Sequence, residues 1–174
     1  MRKVLSWFCV GLVAATVSLT ASSRKATNNK LSPSASTSMQ LGGHEILIEY
    51  NAPSARGRKV EGGLIPYTAP WRTGADSATT LTAGADLMIG SLRVPKGEYT
   101  LYTAASESGW KLIINKQTGQ WGTEYNEAQD LGRVPMKLTK LSAPVEKFEI
   151  TLKAGTLTMR WGTTEASVPV KLAQ

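Results

Sequence analysis

Apolar and polar residues alternate with a period of two along most of the chain. Ile46, Ile48 and Tyr50 share one side of a predicted strand, and the same spacing recurs from Trp110 to Asn115 and from Phe148 to Leu152. Successive side chains of a β-strand point to opposite faces of the sheet. The pattern therefore predicts a series of strands, each with one buried face.

Turn-forming residues separate these segments at intervals of roughly 8 to 12 residues. Gly42-Gly43 and Ala154-Gly155 have the character of two-residue hairpin turns, and Pro95-Lys96-Gly97 marks another reversal. We predict an all-β fold, a single antiparallel β-sandwich that is jelly-roll-like or related.

Two local features refine this fold. The polar segment 124–131 predicts at most a short helical turn, because it is too short for a stable helix. Pro169 predicts that the last strand lies at a sheet edge, since proline cannot donate a hydrogen bond to the ladder.

The first 21 residues have the layout of a secretory signal peptide. Arg2 and Lys3 precede an apolar run from Val4 to about Ala21, and small and polar residues follow. A retained membrane anchor is the alternative, but serine and threonine dilute a run that is already near the lower length for crossing a bilayer. We predict cleavage after Ala21, export to the periplasm or the extracellular space, and no stable membrane insertion after cleavage.

The segment after the signal holds almost no apolar side chain. Residues 22–38 therefore predict a flexible linker, which leaves 39–172 as one β-sandwich domain.

Composition excludes several kinds of chemistry from the mature chain. The one cysteine, Cys9, lies in the signal segment, and the one histidine, His44, directly follows a predicted hairpin turn. Thiol nucleophiles, disulfides and Cys/His metal sites are excluded, and His44 is predicted to be an exposed turn residue. We predict no metal and no cofactor. The formal charge of +7 falls to +5 without Arg2 and Lys3, and the remaining basic residues are scattered among acidic ones, which argues against a nucleic-acid partner.

The connection from Tyr50 to Thr80 concentrates Gly, Pro, Arg and aromatic residues, and we expect a site there. Arg58 and Arg72 can present planar guanidinium groups to a carboxylate, a phosphate or a sugar, while Trp71 and Asp76 lie close by in sequence. In the structural alternative, Arg72 pairs with Asp76 or stacks on an aromatic ring, and Trp71 fills the core.

A second candidate lies in the loop Gly119–Gly122. Trp121 can serve there as an aromatic platform for a sugar ring, with Tyr125 nearby, or it can seal one end of the sandwich over the core. Trp110 begins an alternating apolar face and is predicted to be a core residue.

Carboxylates offer the only general acid/base set in the chain. Asp76, Glu124, Glu127 and Asp130 suit glycoside hydrolysis in principle, since that reaction can run on two carboxylates. The last three lie in a short polar segment, however, which is more typical of a solvated face.

Several groups of residues carry a resemblance to a known family. They are Tyr50, Pro53, Arg56–Lys59, Gly62–Tyr67, Trp71–Ala75, Ala78-Thr79, Gly97–Leu101, Trp110, Asn115-Lys116 and Thr118–Thr123. Together they resemble the bacterial family known as domain of unknown function 2911, over about Ser32 to Lys171. The resemblance implies an exported β-rich protein and supplies no activity. The chain departs from the family pattern at Glu61, where an aromatic residue is more typical, and at Pro70, where an aliphatic one is commoner.

These observations predict an exported β-sandwich that is a non-catalytic module, either structural or binding a small molecule or glycan. The ligand-binding candidates are Arg58, Trp71, Arg72, Asp76 and Trp121. The alternative is a carboxylate-dependent hydrolase acting on a glycan-like substrate, with Asp76 and either Glu124 or Glu127 as its carboxylate pair.

Overall fold

The alternating segments form strands in the computed structural model, which describes residues 31–174. The predicted signal peptide and most of the predicted linker lie outside the described residues. Within them, one 3₁₀ turn at Glu127–Gln129 falls in the segment predicted to be at most briefly helical. The strands are β1 (Ser34–Leu41), β2 (His44–Asn51), β3 (Thr79–Ala83), β4 (Leu87–Ile89), β5 (Leu92–Val94), β6 (Gly97–Ala105), β7 (Trp110–Asn115), β8 (Asp130–Lys153) and β9 (Thr156–Leu172).

Neighbouring strands pair antiparallel in the order β1-β2-β3-β6-β7-β8-β9-β4-β5. The first part of β8, residues 130–136, pairs with β7, and residues 137–153 pair with β9. The second part of β8 lies against β1 and β2. One continuous sheet therefore folds into two layers, and the all-β prediction is confirmed.

Two hairpin turns follow the predicted chemistry. Gly42 (φ 55°) and Gly43 (φ 82°) join β1 to β2, and Ala154 (φ 49°) and Gly155 (φ 72°) join β8 to β9. Positive φ at both central residues is the mark of a type I′ turn, and glycine adopts it without steric cost. His44 opens β2 and is exposed, as predicted.

A hydrophobic core fills the space between the layers. Ile46 and Ile48 from β2 and Leu112 from β7 are fully buried there, together with Met159 from β9. Trp110 is 6% exposed and belongs to the same core, which confirms its prediction.

The strands β8 and β9 are much longer than the alternating segment from Phe148 to Leu152 that the sequence shows in this region. The register of β8 against β9 shifts between Lys140 and Val145 and again between Val145 and Glu149. Such bulges add residues to one strand and break the period of two without ending the strand. The sequence pattern therefore hides the continuity of β8.

The prediction that Pro169 marks an edge strand is wrong, because β9 lies between β8 and β4. The β8–β9 ladder ends at the pair Lys137 and Ser167, so the proline comes just after it. On the β4 side, Pro169 O accepts a hydrogen bond from Gly90 N at 2.8 Å. This interior strand tolerates a proline because position 169 lies beyond the β8–β9 ladder and contributes its carbonyl oxygen, not an N–H, to the pairing with β4.

The first strand begins inside the predicted linker. Ser34–Ser38 pairs with β2, starting with Ser34 opposite Asn51. Its residues alternate between exposed and half-buried, and its side chains are mostly small and polar. Main-chain hydrogen bonds therefore hold this part of β1, and the hydrophobic pattern does not reveal it.

The layer that contains β1 and β2 is here called the first layer. Its side chains accept hydrogen bonds from backbone N–H groups of β8. Tyr50 Oη accepts a hydrogen bond from Ile150 N at 3.0 Å, and Thr37 Oγ1 accepts one from Leu152 N at 3.1 Å. The Tyr50 hydroxyl thus connects the two layers.

Tyr50→Phe is expected to lower the free energy of unfolding by about 1–3 kcal/mol, because it leaves the buried N–H of Ile150 without an acceptor. Urea unfolding measures the change. Tyr67→Phe, at a half-buried tyrosine, is the control and should change stability by less than about 0.5 kcal/mol. Equal losses in the two variants would show that the interlayer hydrogen bond does not stabilise the fold.

Candidate functional site

The connection between β2 and β3 is fixed to the long strand β8. Phe148 N donates to Pro53 O, and Ala55 N donates to Glu146 O, both at 2.8 Å. The chain after β2 thus extends along β8, and the predicted site region is an ordered surface rather than a free loop.

Trp71 lies in the core and is 6% exposed. Its ring stacks on Trp161 at 5.7 Å between centroids and meets Phe148 edge-on at 4.9 Å. Its backbone exchanges two hydrogen bonds with Thr103 of β6. Trp71 therefore fills the core, as the structural alternative in the sequence analysis has it.

Arg72 has the opposite orientation. Because Trp71 pairs with Thr103 and points inward, the alternation along the strand directs Arg72 to the outer face of the sheet. There its side chain lies against Gly122, where an added Cβ would overlap the Cδ of Arg72. The absence of a side chain at 122 gives the arginine its room.

Two buried polar atoms on this face lack a hydrogen-bond partner within the described part of the chain. They are Arg72 Nε, a donor, and Gln120 Oε1, an acceptor. The Nε2 of Gln120 donates to Tyr102 Oη at 3.1 Å and to Thr100 Oγ1 at 3.2 Å. Burial raises the pKa of Tyr102, while its hydrogen bond with Gln120 acts to lower it. Unsatisfied buried groups are rare in proteins, which singles out this place.

A cleft of ≈ 380 Å³, here called the Arg72 cleft, opens beside the guanidinium. Its volume is within the ~300–1,000 Å³ typical of small-molecule sites. Most of the lining is apolar, and Arg72 is the one charged side chain among the lining residues. These residues are Gly63, Leu64, Pro66, Ala69, Pro70, Trp71, Arg72, Gly122, Thr123 and Tyr125.

The hydroxyl of Tyr125 is occupied by protein partners. It donates to Asp130 Oδ2 at 2.7 Å and accepts from Arg133 at 2.8 Å. Burial and the hydrogen bond to Asp130 raise the pKa of Tyr125 to about 12, so the phenol stays protonated at neutral pH. Its ring packs edge-on against Tyr102 at 4.9 Å. Tyr125 is thus a fixed wall of the cleft.

Arg58 and Asp76 line a different depression, of ≈ 440 Å³, together with Leu31, Ser54 and Arg56. Arg58 donates to two carbonyl oxygens of its own loop, at 2.9 and 3.0 Å. The structure therefore separates the predicted site residues, because Arg72 and Trp71 border one cavity and Arg58 and Asp76 another.

Trp121 is exposed, with 52% of its surface accessible. Its backbone forms an antiparallel bridge to Ser77, flanked by hydrogen bonds from Ala78 N to Gln120 O and from Gly122 N to Asp76 O. The indole therefore does not cover the core, and the aromatic-platform interpretation suits its exposure.

Two of the three carboxylates of segment 124–131 serve the fold. Asp130 accepts hydrogen bonds from Asn115, Tyr125 and Arg133, and Glu127 pairs with Arg133 at 2.7 Å. Asp76 lines the other depression. Of the carboxylates in the hydrolase alternative, Glu127 thus belongs to a structural network, Asp76 borders a separate cavity, and Glu124 is exposed.

Several lining residues were absent from the site predicted by sequence. Leu64, Pro66 and Thr123 are examples, and Tyr125 was considered only as a neighbour of Trp121. The signal that could have found them is the glycine at 122, whose missing side chain allows Arg72 to approach segment 122–125.

Glu61 forms hydrogen bonds with β9 next to Gly162 instead of lining an aromatic pocket. Its Oε1 accepts hydrogen bonds from Thr163 N and Thr164 Oγ1, both at 2.9 Å. Gly162, at φ +56°, leaves room for this carboxylate. Burial raises the pKa of Glu61, but these hydrogen bonds outweigh it, so the pKa lies below its ordinary 4.5.

A lowered folded-state pKa means that ionised Glu61 stabilises the fold above its unfolded pKa. This contribution is lost as the pH falls through the lower, folded-state value. Glu61→Gln should therefore unfold at lower urea concentration than wild type at pH 7, and the difference should shrink below about pH 4.5. Glu107→Gln, at an exposed turn residue, is the control. A difference that stays constant from pH 7 to pH 3 would contradict this role for Glu61.

Two kinds of feature are absent from residues 31–174, the part of the chain that the structure describes. No helix there is long and apolar enough to cross a membrane. No group of three or more His, Cys, Asp or Glu side chains there is arranged to hold a metal ion.

The cleft is formed by two segments, 63–72 and 122–125, which also hold residues of the family resemblance. A family model described as "Protein of unknown function (DUF2911)" matches residues 32–170. The chain belongs to this family. In this member of the domain of unknown function 2911 family, the two segments meet at the Arg72 cleft. A search of curated proteins finds no match for the chain, and a search of solved structures finds none either.

Proposed function

We propose that this protein is an exported, non-catalytic module that binds a carboxylate-bearing small molecule or glycan in the Arg72 cleft. The observation that carries the proposal is the buried Nε of Arg72, which has no hydrogen-bond partner in the described part of the chain. A buried donor left without a partner costs about 1–3 kcal/mol. Because this Nε is buried, an acceptor of a ligand would recover the cost by entering the Arg72 cleft and displacing the atoms that cover the guanidinium.

The chemistry of the cleft favours a carboxylate over a neutral group. A guanidinium presents a planar fork that matches a carboxylate with two parallel hydrogen bonds. The remaining walls, which include Leu64, Pro66 and the ring of Tyr125, suit an apolar body or the apolar face of a sugar ring.

The geometry supports binding more than hydrolysis. Glu127 is engaged by Arg133, and Asp76 borders the depression that contains Arg58. None of Asp76, Glu124 and Glu127 lines the Arg72 cleft. A two-carboxylate mechanism requires both groups to flank one substrate, about 5 to 10 Å apart.

Export rests on the sequence of residues 1–21. Mass spectrometry of the protein recovered from the periplasm or the medium should give a mature chain that begins at Ser22. Recovery of the intact chain from the cytoplasm alone would contradict export.

The binding proposal is tested by thermal shift with galacturonate and benzoate, with galactose as the uncharged comparison. A carboxylate present at 100 times its Kd should raise the stability of the folded protein by about 2.7 kcal/mol. Arg72→Ala should abolish this shift, and Arg72→Lys should weaken it.

Arg160→Ala, which removes an exposed arginine paired with Glu165, is the matched control and should keep the shift. An Arg72→Ala protein that melts lower but still responds fully to the carboxylates would show that Arg72 is structural.

A further inference from the structure

A polar trough on the first layer lies apart from the Arg72 cleft. Its volume is ≈ 380 Å³, and it is bordered by residues from β1, β2 and the start of β3. The polar side chains around it belong to Ser34, Ser36, Glu49, Asn51, Ser77 and Thr80. Hydroxyl, amide and carboxylate groups thus surround this space, and no lining residue is basic.

Trp121, which is exposed, pairs with a residue that lines this trough. Ser77 lines the trough and is directly opposite Trp121 in the antiparallel bridge. The flanking hydrogen bonds from Ala78 N and Gly122 N make this a non-hydrogen-bonded pair. In such a pair the two Cα atoms are about 4.5 Å apart and the side chains lie on the same side.

The charge and the groups in the trough select the chemistry of a ligand. Glu49 disfavours an anion, whereas a carboxylate and several hydroxyls suit the hydroxyl groups of a sugar. A tryptophan ring accepts the apolar face of a pyranose. Hydrogen-bonding groups beside an exposed aromatic ring are therefore complementary to a neutral saccharide.

We propose that the trough and Trp121 form a binding site for a neutral oligosaccharide, with the indole stacking on one sugar ring and Glu49 accepting hydrogen bonds from hydroxyls. This site uses residues that do not line the Arg72 cleft. It therefore stands whether or not that cleft binds a carboxylate.

Tryptophan fluorescence gives a direct readout. Trp71, Trp110 and Trp161 are at most 6% exposed, so Trp121 is the tryptophan in the described residues that acrylamide reaches readily. Chitotetraose and cellotetraose are the probes. At least one of them should protect the indole from acrylamide quenching and shift its emission to the blue.

Titration calorimetry with the active tetrasaccharide separates the roles of the residues. Trp121→Ala should weaken binding by about tenfold, since a ring contact of this kind contributes on the order of one aromatic pair. Trp121→Phe should recover part of the affinity. Glu49→Ala should weaken binding several-fold, and Arg160→Ala, which removes an exposed arginine paired with Glu165, should leave it unchanged.

Three outcomes would overturn the proposal. The first is that neither tetrasaccharide protects the indole at 10 mM, since the weakest binding expected at such a site has a Kd of about this value. The second is that the Trp121→Ala variant binds the active tetrasaccharide as tightly as the wild-type protein does. The third is that protection of the indole rises with protein concentration in the absence of saccharide. Trp121 would then dock against a second copy of the chain.

Discussion

Trp71→Ala is expected to lower the free energy of unfolding by about 3–5 kcal/mol, the usual cost of deleting a buried aromatic side chain. The ring contacts both Trp161 and Phe148, and it fixes the connection between β2 and β3 to the core. Its removal opens a cavity that the two flanking aromatic rings cannot fill without moving.

Urea unfolding and the melting temperature measure this loss. Trp121→Ala is the matched control, because it deletes the same side chain at a position that is 52% exposed. It should change stability by no more than about 0.5 kcal/mol. If the two variants lost equal stability, the assignment of Trp71 to the core would be wrong.

Gly122→Ala is expected to have the second largest effect, about 1–3 kcal/mol of destabilisation. A Cβ at this position would overlap the Cδ of Arg72 and lie 2.7 Å from the carbonyl oxygen of Asp76. A backbone oxygen cannot move aside as the end of a flexible side chain can. The substitution should therefore displace Arg72 and weaken carboxylate binding as well as stability.

Gly109→Ala is the control for this substitution, since an added Cβ there meets nothing within 4 Å. The double variant Gly122→Ala/Arg72→Ala should lose less stability than the two single changes add up to, because one of the two overlaps is gone. Strict additivity would show that Arg72 does not lie against residue 122.

The strands were predictable where alternation is strong and burial decides the pattern. β7 matches its prediction over Trp110–Asn115, and both two-residue hairpin turns lie where glycine marked them. The sequence could not show that β8 continues from Asp130 to Lys153, because its bulges remove the period of two. Nor could it show Ser34–Ser38 as a strand, since main-chain pairing and hydrogen bonds of small polar side chains hold that segment.

The candidate site was predictable by region but not by geometry. The segment from Tyr50 to Thr80 does supply Arg72, yet one peptide bond separates that arginine from a tryptophan buried in the core. Which of two adjacent residues faces outward depends on the pairing of Trp71 with Thr103, some 30 residues further along the chain. Long-range pairing of this kind leaves no local mark in the sequence.

The central claim is that Arg72 receives the carboxylate of a ligand, and an NMR spectrum of the arginine Nε–H groups tests it most directly. The Arg72 signal is assigned as the one that disappears in Arg72→Lys. On titration with galacturonate or benzoate, the account predicts a saturable shift of this signal, with the signals of Arg93 and Arg160 unchanged. An Arg72 signal that stays in place while a carboxylate raises the melting temperature would contradict the claim, because the ligand would then bind elsewhere.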